Sequence, residues 1–305
     1  MMEKQMFCFP GFTKKAISFT IDDGNVRLDK KFIDIVKPAG IFGTFNLCGK
    51  DRQGNMTDEE YREFYRGFEI ANHCVAHPKV ITEEMKASIV NEPFDPSTAN
   101  TACIYPTDME GVYHKYYTSW WGTVATEEAY CRLVKKGRQE LESVFGKGNI
   151  RGFVWPYGTQ DSDVVKEYLY REYESVRRTG EADFELPGDR RCWSYNATHK
   201  DLIERAEEFS RIEDDGKLRF FCFGVHSHDF ENASCWHVLE AFAQRFGNRR
   251  EDYWYATVGQ VFDYEDAINA ATVEDGIITN NSDIPIYLRC GGEYIILPSG
   301  ESCKI

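Results

Sequence analysis

The sequence predicts an α/β protein built on a parallel sheet or barrel, and three observations support this fold class. Strand-like apolar runs alternate with helical segments along most of the 305 residues, an order that is typical of parallel sheets. Acids and histidines fall just past the C-terminal ends of several of these runs, where parallel barrels build their active sites. After about residue 272 the pattern changes to short β segments, which indicates a small β appendage.

The most informative stretch is 16–24, in which a β-favouring, mostly apolar run leads directly into Asp22, Asp23 and Gly24. It predicts a buried strand that carries two adjacent carboxylates to its C-terminal end. Because neighbouring carboxylates repel each other, a metal ion or a shared proton is expected to relieve the charge. One interpretation is that one aspartate binds a cation and the other acts as a base. The alternative is a solvated Asp-Asp-Gly turn.

The elements that follow continue the alternation. Up to residue 90 we predict a helix at 27–36, a strand at 41–47, a helix at 56–66, a strand at 68–72 and a helix at 79–90. After residue 126 we predict helices at 127–145, 163–174, 202–208 and 235–245, strands at 150–155, 174–178, 219–225 and 253–257, and a last helix that ends near residue 271. Proline and glycine residues end several of these segments, as expected for helix and strand boundaries.

The segment 91–126 interrupts the alternation. Its three prolines and many aromatic residues predict a long irregular insertion, and loops of this length are usually functional or mobile. Trp120 and Trp121 are candidates for substrate binding, because aromatic faces match the apolar face of a sugar ring. The alternative is that these rings only pack the insertion onto the body of the protein.

The C-terminal residues 273–305 predict a small β-hairpin appendage to a main domain of residues 1–272. Two β-like segments at 284–289 and 294–297 are joined by Gly291-Gly292, which is typical of a hairpin turn. Alternating side chains predict one buried and one exposed face, and a lone hairpin is marginal in water. We therefore expect the hairpin to pack on the main domain or on a partner subunit, in a structural or assembly role.

The composition excludes several classes of partner. A net charge of −14 argues against nucleic acid and anionic membranes as partners. We find no apolar run long enough for a membrane span or a signal peptide, so we expect a cytoplasmic protein. The ten cysteines form no C-x-x-C pair, which predicts reduced, buried thiols and no four-cysteine zinc site. The oligomeric state stays open.

Two histidine pairs also follow apolar runs. His73 and His77 come after one predicted strand, and His226 and His228 come after another. Histidines four residues apart on one helical turn can both reach one divalent ion, and Asp23 would complete a three-ligand site with positions open for water or substrate. The alternative is that these histidines are exposed or hydrogen-bonded within the protein.

Together these motifs resemble the polysaccharide deacetylases, carbohydrate esterase family 4, whose domain is also called the NodB homology domain. The run Thr20-Ile21-Asp22-Asp23-Gly24 is similar to the family's Asp-Asp motif, and His73-x-x-x-His77-Pro78 is similar to its histidine motif. Pro156-Tyr157-Gly158 resembles the end of its third motif, and Gly43-Thr44-Phe45 resembles its second strand. The resemblance covers about residues 12–270 and implies an incomplete, distorted (β/α)7-type barrel.

The resemblance also implies a chemistry, namely the metal-dependent hydrolysis of N- or O-acetyl groups on an acetylated sugar or oligosaccharide. It implies that Asp22 is the general base and that Asp23, His73 and His77 hold one divalent ion, which we expect to be zinc, with Co²⁺, Ni²⁺ or Mn²⁺ as alternatives. The backbone N–H of Tyr157 would help to hold the oxyanion, with Pro156 beside the substrate. A late histidine would be the general acid. We favour His226, because Val225-His226-Ser227 resembles the Gly-His-Ser of some bacterial relatives, with His228 as the alternative because His228-Asp229 resembles the His-Asp of commoner members.

The chain departs from the family pattern at two places. Many relatives have an arginine two residues before the Pro-Tyr-Gly motif that positions the catalytic aspartate, whereas this chain has Val154, and Arg151 is too far from the motif to be equivalent. The usual aspartate partner of the acid histidine has no clear match, and Asp189 is a candidate. Two other functions therefore stay open. One is a related amidohydrolase acting on a small C–N compound, and the other is a carbohydrate-binding relative without turnover, which the missing arginine favours.

Overall fold

The computed structural model describes residues 6–50, 54–81, 110–117, 120–158, 162–180 and 182–305, without the side chains of 113–117 and 120–122. The centre of the described structure is a seven-stranded sheet in which every pairing is parallel. Its strands are β2 Lys15–Asp23, β3 Thr44–Leu47, β4 Glu69–Asn72, β8 Gly152–Val154, β9 Ser175–Arg177, β10 Arg219–His226 and β11 Tyr253–Tyr255. This arrangement confirms the predicted α/β class.

The sheet forms an incomplete, distorted barrel, as predicted. The strand order is β10-β2-β3-β4-β8-β9, and β11 pairs with the first half of β2. Between β9 and β10 the wall is continued by an irregular segment. Its described residues form isolated bridges from Trp193 to Arg177, from Glu185 to Arg219 and from Ala197 to Phe223. Because all the long strands run in the same direction, their C-terminal ends meet at one end of the barrel.

Helices follow most strands of the barrel. They are α1 Val26–Val36, α2 Asp58–Phe64, α3 Glu127–Phe145, α4 Asp163–Glu172, α5 Leu202–Arg211, α6 Ser227–Asn232, α7 Trp236–Phe246 and α8 Val258–Ala270. Several begin with a side-chain cap. Asn25 accepts a hydrogen bond from the N–H of Leu28 at the start of α1, and Thr57 forms a capping box with Glu60 at the start of α2. No helix in the described ranges is long and apolar enough to cross a membrane.

The barrel core is built around Phe19, which lies in the middle of β2. Its ring centroid lies 5.0–5.9 Å from the ring centroids of Phe32, Phe45, Phe68 and Phe223. These contacts connect α1 with three strands of the sheet, and burial of each phenylalanine contributes about 1.5–3 kcal/mol. The core therefore fixes the position of β2. Asp22 and Asp23, at the end of this strand, are fixed with it.

Part of the segment 91–126 is not irregular, and in this respect the sequence interpretation was wrong. Strands β6 Val112–Tyr117 and β7 Trp120–Ala125 pair in antiparallel fashion, and β5 Lys79–Val80 adds to β7. The three prolines that suggested irregular structure all precede residue 110, whereas β-branched and aromatic residues favour strands after it. The predicted helix at 79–90 begins instead with β5, and residues 82–109 lie outside the described residues.

The predicted C-terminal hairpin is present as β14 Ile286–Cys290 and β15 Glu293–Leu297. A short N-terminal strand, β1 Phe7–Cys8, pairs with β14, so the hairpin completes a three-stranded antiparallel sheet. A second small sheet contains β12 Thr272–Glu274, β13 Ile277–Thr279 and β16 Ser302–Lys304. Ile286 and Leu288 are buried in an apolar cluster that includes Ala16. Ala16 lies about 20 Å along β2 from the two aspartates, given the rise per residue of a strand.

Candidate active site

The C-terminal ends of the strands surround one cavity of about 710 Å³. Parallel register places His226 beside Asp22, Asp22 beside Asn46, and Val154 beside Arg177. The residues that line this cavity include both aspartates and both histidine pairs named from the sequence: Asp22, Asp23, His73, His77, Tyr157, Tyr195, Lys200, His226, His228 and Asp229. The fold thus brings together groups that are far apart in the chain.

Asp22 and Asp23 both face the cavity because the backbone changes conformation between them. Successive side chains of a regular strand point to opposite faces, so two adjacent aspartates could not share one cavity from an undistorted strand. Asp23 has a φ of 79°, in a region that non-glycine residues rarely adopt. Such an outlier at the mouth of a cavity is typical of a functional site, where the surrounding structure maintains strained backbone.

Asp22 is held by two hydrogen-bond donors. Arg177 Nη2 lies 2.5 Å from both carboxylate oxygens, and Asn46 Nδ2 donates to Oδ1 at 2.7 Å. Burial would raise the pKa of Asp22, but the positive charge of Arg177, aided by His73 and His226, outweighs burial and lowers this pKa below its usual range. The carboxylate is therefore ionised and fixed in orientation at neutral pH.

Arg177 is a residue that the sequence interpretation missed. It is only 1% exposed, and its guanidinium carbon lies 5.1 Å from the centre of the Tyr195 ring. Its strand β9 pairs with β8, and the register places Arg177 directly beside Val154, the position at which many relatives have their arginine. The guanidinium that the sequence seemed to lack therefore comes from the neighbouring strand. The available signal was an arginine near the end of the short predicted strand 174–178.

The segment from His73 to His77 does not form the helical turn that the sequence suggested. Cys74, Ala76 and His77 all have positive φ values, of 61°, 66° and 45°. The side chain of Asn72 accepts a hydrogen bond from the N–H of Cys74, which stabilises the first of these turns. Pro78 disfavours a right-handed helical conformation at His77. This looped backbone, rather than helical spacing, turns both imidazoles toward Asp23.

Asp23, His73 and His77 fit a divalent metal ion. The Nε2 atoms of His73 and His77 each lie 3.5 Å from Asp23 Oδ1. Donor atoms around a tetrahedral zinc ion with bonds of about 2.0–2.1 Å are separated by about 3.3 Å. The two contacts to Asp23 are therefore already close to the spacing of a metal site, and the three donor atoms all lie within 4.8 Å of one another.

The protonation of His73 also suits a metal ligand. Its Nδ1 lies 2.9 Å from the carbonyl oxygen of Val154, which can only accept, so Nδ1 carries the proton. Nε2 is then the nitrogen with a lone pair for a metal ion, and it lies 3.5 Å from Asp23 Oδ1. Within the part of the chain that the structure describes, this buried atom has no hydrogen-bond partner. A lone pair that faces a carboxylate is repulsive unless a cation lies between them. The hydrogen bond to Val154 is the kind of support that orients imidazole ligands in metal sites.

Electrostatics favour the ionised form of Asp23. Burial raises the pKa of this carboxyl, but His73, His77 and His226 in their protonated forms lower it well below its usual range. A divalent cation bound by neutral imidazoles would favour the ionised carboxylate in the same way. A carboxylate ligand must be deprotonated to bind a metal ion. Asp23 is therefore in the form that binds a metal ion.

His226 has an acidic partner three residues further along the chain. Its Nδ1 lies 3.0 Å from Asp229 Oδ2, and its backbone N–H donates to the same oxygen at 2.9 Å. Burial would lower the pKa of His226, but the hydrogen bond to Asp229 and the charges of Asp23 and Asp22 raise it to about 9. The candidate partner Asp189 was wrong, because that residue is exposed and pairs with Arg191.

His228 lies against His226, with the two rings stacked at a centroid distance of 4.6 Å. Its Nε2 is 3.8 Å from Asp229 Oδ1, longer than a hydrogen bond. Of the two late histidines, His226 therefore has the firmer link to a carboxylate. His228 keeps a position in the cavity wall.

The third motif forms a tight turn at the edge of the cavity. Tyr157 has a φ of 61°, and its ring lies 4.5 Å from the ring of His77. Pro156 is buried, and the cavity wall at this turn is formed by Trp155, Tyr157 and Gly158. The backbone of Trp120 and Trp121 belongs to β7, but their side chains lie outside the described residues.

The incomplete parallel barrel, with acids and histidines gathered at the C-terminal ends of its strands, defines the fold class of this protein. Comparison with known families identifies the family. The sequence profile of the family described as polysaccharide deacetylase matches residues 10–176, more than half of the chain. The protein belongs to the polysaccharide deacetylase family. This confirms the resemblance found in the sequence.

Solved structures of this family are similar at low sequence identity. The peptidoglycan deacetylase PdaC from Bacillus subtilis is 14% identical, with 84% of this chain and 94% of that chain covered and a TM-score of 0.46. A family 4 carbohydrate esterase from Streptomyces lividans, in complex with acetate, is 12% identical, with 75% and 86% covered and a TM-score of 0.42. A family 4 acetyl xylan esterase from Clostridium thermocellum, with a cobalt ion, is 13% identical, with 82% and 92% covered and a TM-score of 0.45. A comparison with curated proteins gave no match.

Proposed function

We propose that this protein is a metal-dependent hydrolase that removes acetyl groups from an N-acetylated carbohydrate, with O-acetylated sugars as the alternative. The observation that carries this proposal is the clamped, ionised Asp22 directly beside the three-ligand cluster of Asp23, His73 and His77. A fixed base next to a metal site with open positions is what hydrolysis of an acyl group requires. Membership of the polysaccharide deacetylase family supports the same reaction.

Asp23, His73 and His77 would hold one divalent ion, with zinc as our first choice and cobalt, nickel or manganese as alternatives. Two imidazoles and one carboxylate are a common ligand set of hydrolytic zinc. When bound, such an ion supplies Lewis-acid chemistry, which polarises the acyl carbonyl and makes a water molecule more acidic. The hydrogen bond from His73 to Val154 keeps one of the imidazoles oriented before any ion arrives.

Asp22 would accept the proton of the attacking water. Its Oδ1 receives hydrogen bonds from both Asn46 and Arg177, whereas Oδ2 receives one from Arg177. Oδ2 is therefore the better placed oxygen for the proton of the water. Arg177 makes Asp22 a weaker base by lowering its pKa, but it holds the carboxylate in one orientation, and correct positioning alone lowers reaction barriers substantially.

His226 would protonate the departing amine as the general acid. Its raised pKa keeps the imidazole protonated at neutral pH, and Asp229 fixes which nitrogen faces the cavity. The backbone N–H of Tyr157 would help to hold the oxyanion, and the left-handed backbone at Tyr157 aims this turn at the cavity edge. Trp120 and Trp121 keep their proposed role in sugar binding.

A second candidate is a related amidohydrolase that acts on a small C–N compound. The cavity of about 710 Å³ favours it, because this volume lies within the range of small-molecule sites. The third possibility, a binding protein without turnover, was favoured by the missing arginine at position 154. The hydrogen bond from Arg177 to Asp22 removes that argument.

Acetate release tests the proposal. The protein is stripped with a chelator, reloaded with Zn²⁺ or Co²⁺, and incubated with N-acetylglucosamine oligomers, acetylated xylo-oligosaccharides and small cyclic amides. We expect the stripped protein to be inactive and the reloaded protein to release acetate from an acetylated sugar. Hydrolysis of only the cyclic amides would favour the second candidate, and acetate release that persists without metal would contradict the proposed mechanism.

A further inference from the structure

A second group of potential metal ligands shares Asp23 with the first group. One ligand atom each from Asp23, His226 and His228 can be chosen so that all three lie within 4.8 Å of one another. The same is true of Asp23, His73 and His77. The carboxylate of Asp23 is therefore common to two histidine pairs, one on the loop after β4 and one at the junction of β10 and α6.

The second pair is oriented for shared binding. Nδ1 of His226 is engaged by Asp229, so its Nε2 is the nitrogen that remains for a ligand in the cavity. The ring of His228 is stacked on that of His226, at an interplanar angle of 22°, and one of its nitrogens lies within 4.8 Å of ligand atoms of His226 and Asp23. Asp229 contacts both imidazoles, which is the outer carboxylate support that metal-binding histidines commonly have.

We propose that Asp23, His226 and His228 form a second, weaker divalent-cation site, in which Asp23 bridges the two ions and occupancy of the second site inhibits the enzyme. A carboxylate that bridges two ions is a common arrangement in two-metal sites. The inhibitory consequence rests on the proposed function, because it follows from the role of His226 as proton donor. Nε2 cannot carry a proton for the leaving group and bind a cation at the same time.

The charges at this end of the cavity explain why the second site is weaker. Its carboxylates are Asp22, Asp23 and Asp229, and its basic side chains are Arg177 and Lys200. The first divalent ion more than neutralises the net negative charge of these groups. The second ion must then bind beside an existing cation, with only one carboxylate ligand that it has to share. Binding is therefore expected only when the metal is in excess.

The test is a metal titration of the whole protein and of two histidine variants. Equilibrium dialysis with Zn²⁺, followed by elemental analysis, gives the number and affinities of bound ions. The visible absorption of Co²⁺ reports the ligand environment of each ion. In parallel, acetate release is measured at increasing Zn²⁺ and normalised to the maximum rate of each variant. His228→Asn removes a ligand of the second site only, and His237→Gln, an exposed histidine on α7, controls for surface binding.

We expect one tight and one weaker ion in the unmodified protein, with inhibition that follows occupancy of the weaker site. His228→Asn should keep the tight ion, weaken the second by about tenfold or more, and shift the inhibitory Zn²⁺ concentration by the same factor. His237→Gln should change neither. A single ion at all Zn²⁺ concentrations, or a second ion that is unaffected by His228→Asn, would overturn the second site. If two ions bind as expected but no acetate is released, the proposed function fails while the second site stands.

Discussion

The two ends of strand β2 differ in almost every physical respect. At the C-terminal end, Asp22 and Asp23 lie among charged groups, and non-glycine residues with positive φ are concentrated around them. At the N-terminal end, Ala16 lies in an apolar cluster with Leu288 and Phe7, built from regularly paired strands. The C-terminal end of β2 thus carries the reactive groups and a strained backbone. The N-terminal end buries apolar side chains, and the free energy gained by this burial offsets the cost of the strain.

The largest effects are expected at the C-terminal end of β2, where two substitutions distinguish the role of the base from that of the metal ligands. Asp22→Asn should lower acetate release by about 10²–10⁴-fold, because the amide cannot accept the proton of water, and it should leave metal content unchanged. His73→Ala should remove the tight ion altogether, because it deletes one of the two imidazoles of the first site. Elemental analysis and acetate release on both variants check this. Equal metal loss in the two variants would show that the roles are assigned incorrectly.

Substitutions at Arg177 and Val154 test whether these paired residues of β9 and β8 can replace each other. Arg177→Ala should lower activity by about 10²-fold through loss of the orientation of Asp22, and it should lower the free energy of unfolding by about 3–5 kcal/mol, because it leaves a buried carboxylate unpaired. Restoring an arginine on the neighbouring strand, in the double variant Val154→Arg/Arg177→Val, should recover part of both losses. Recovery is measured by acetate release and by urea unfolding. A double variant with even less activity than Arg177→Ala would show that the two positions do not substitute for each other.

These residues also show which features the sequence could predict. The run from Ala16 to Asp23 was sufficient to predict a buried strand with acids at its end, because both the apolar pattern and the acids are local. The contact between Arg177 and Asp22 was not predictable in this way, since it depends on the pairing register of two short strands. The register is set by tertiary packing, which no local pattern records.

The histidine motif is a second case in which the local sequence pattern identified the residues but not their conformation. His73 and His77 were recognised from their spacing, but the spacing suggested a helical turn. The observed loop depends on the side chain of Asn72 and on Pro78, which act on the backbone in between. The strands β6 and β7 were missed because nearby prolines outweighed a modest β pattern. The overall composition of the segment 91–126 thus concealed the two strands at its C-terminal end.

At the N-terminal end of β2 the expected effect is on stability alone. Leu288→Ala should lower the free energy of unfolding by about 2–5 kcal/mol, because it leaves a cavity in the buried cluster next to Phe7. Metal affinity should not change, since the substitution lies at the other end of the barrel. Ile296→Ala, on the exposed side of the same hairpin, is the matched control and should change stability by about 0.5 kcal/mol or less. Loss of the tight ion from folded Leu288→Ala would contradict the separation of the two ends.

The smallest expected effect is a shift in the pH profile caused by Asp229→Asn. Asp229 raises the pKa of His226, and the general acid must be protonated, so activity should fall as the pH rises through this pKa. The amide has a similar shape and can still accept the backbone N–H of His226, but it lacks the negative charge. The alkaline limb of the profile should therefore move to lower pH, while the rate on the acidic side changes little.

The same link contributes to stability with a defined sign. The pKa of His226 is raised from 6.5 to about 9, so this stabilisation is fully present below about pH 6.5 and is lost as the pH rises through about 9. Asp229→Asn should reduce the difference in unfolding free energy between these two pH values. Asp189→Asn, at an exposed aspartate paired with Arg191, is the control and should change neither profile. An alkaline limb that stays in place in Asp229→Asn would show that another group donates the proton, with His228 the nearest candidate.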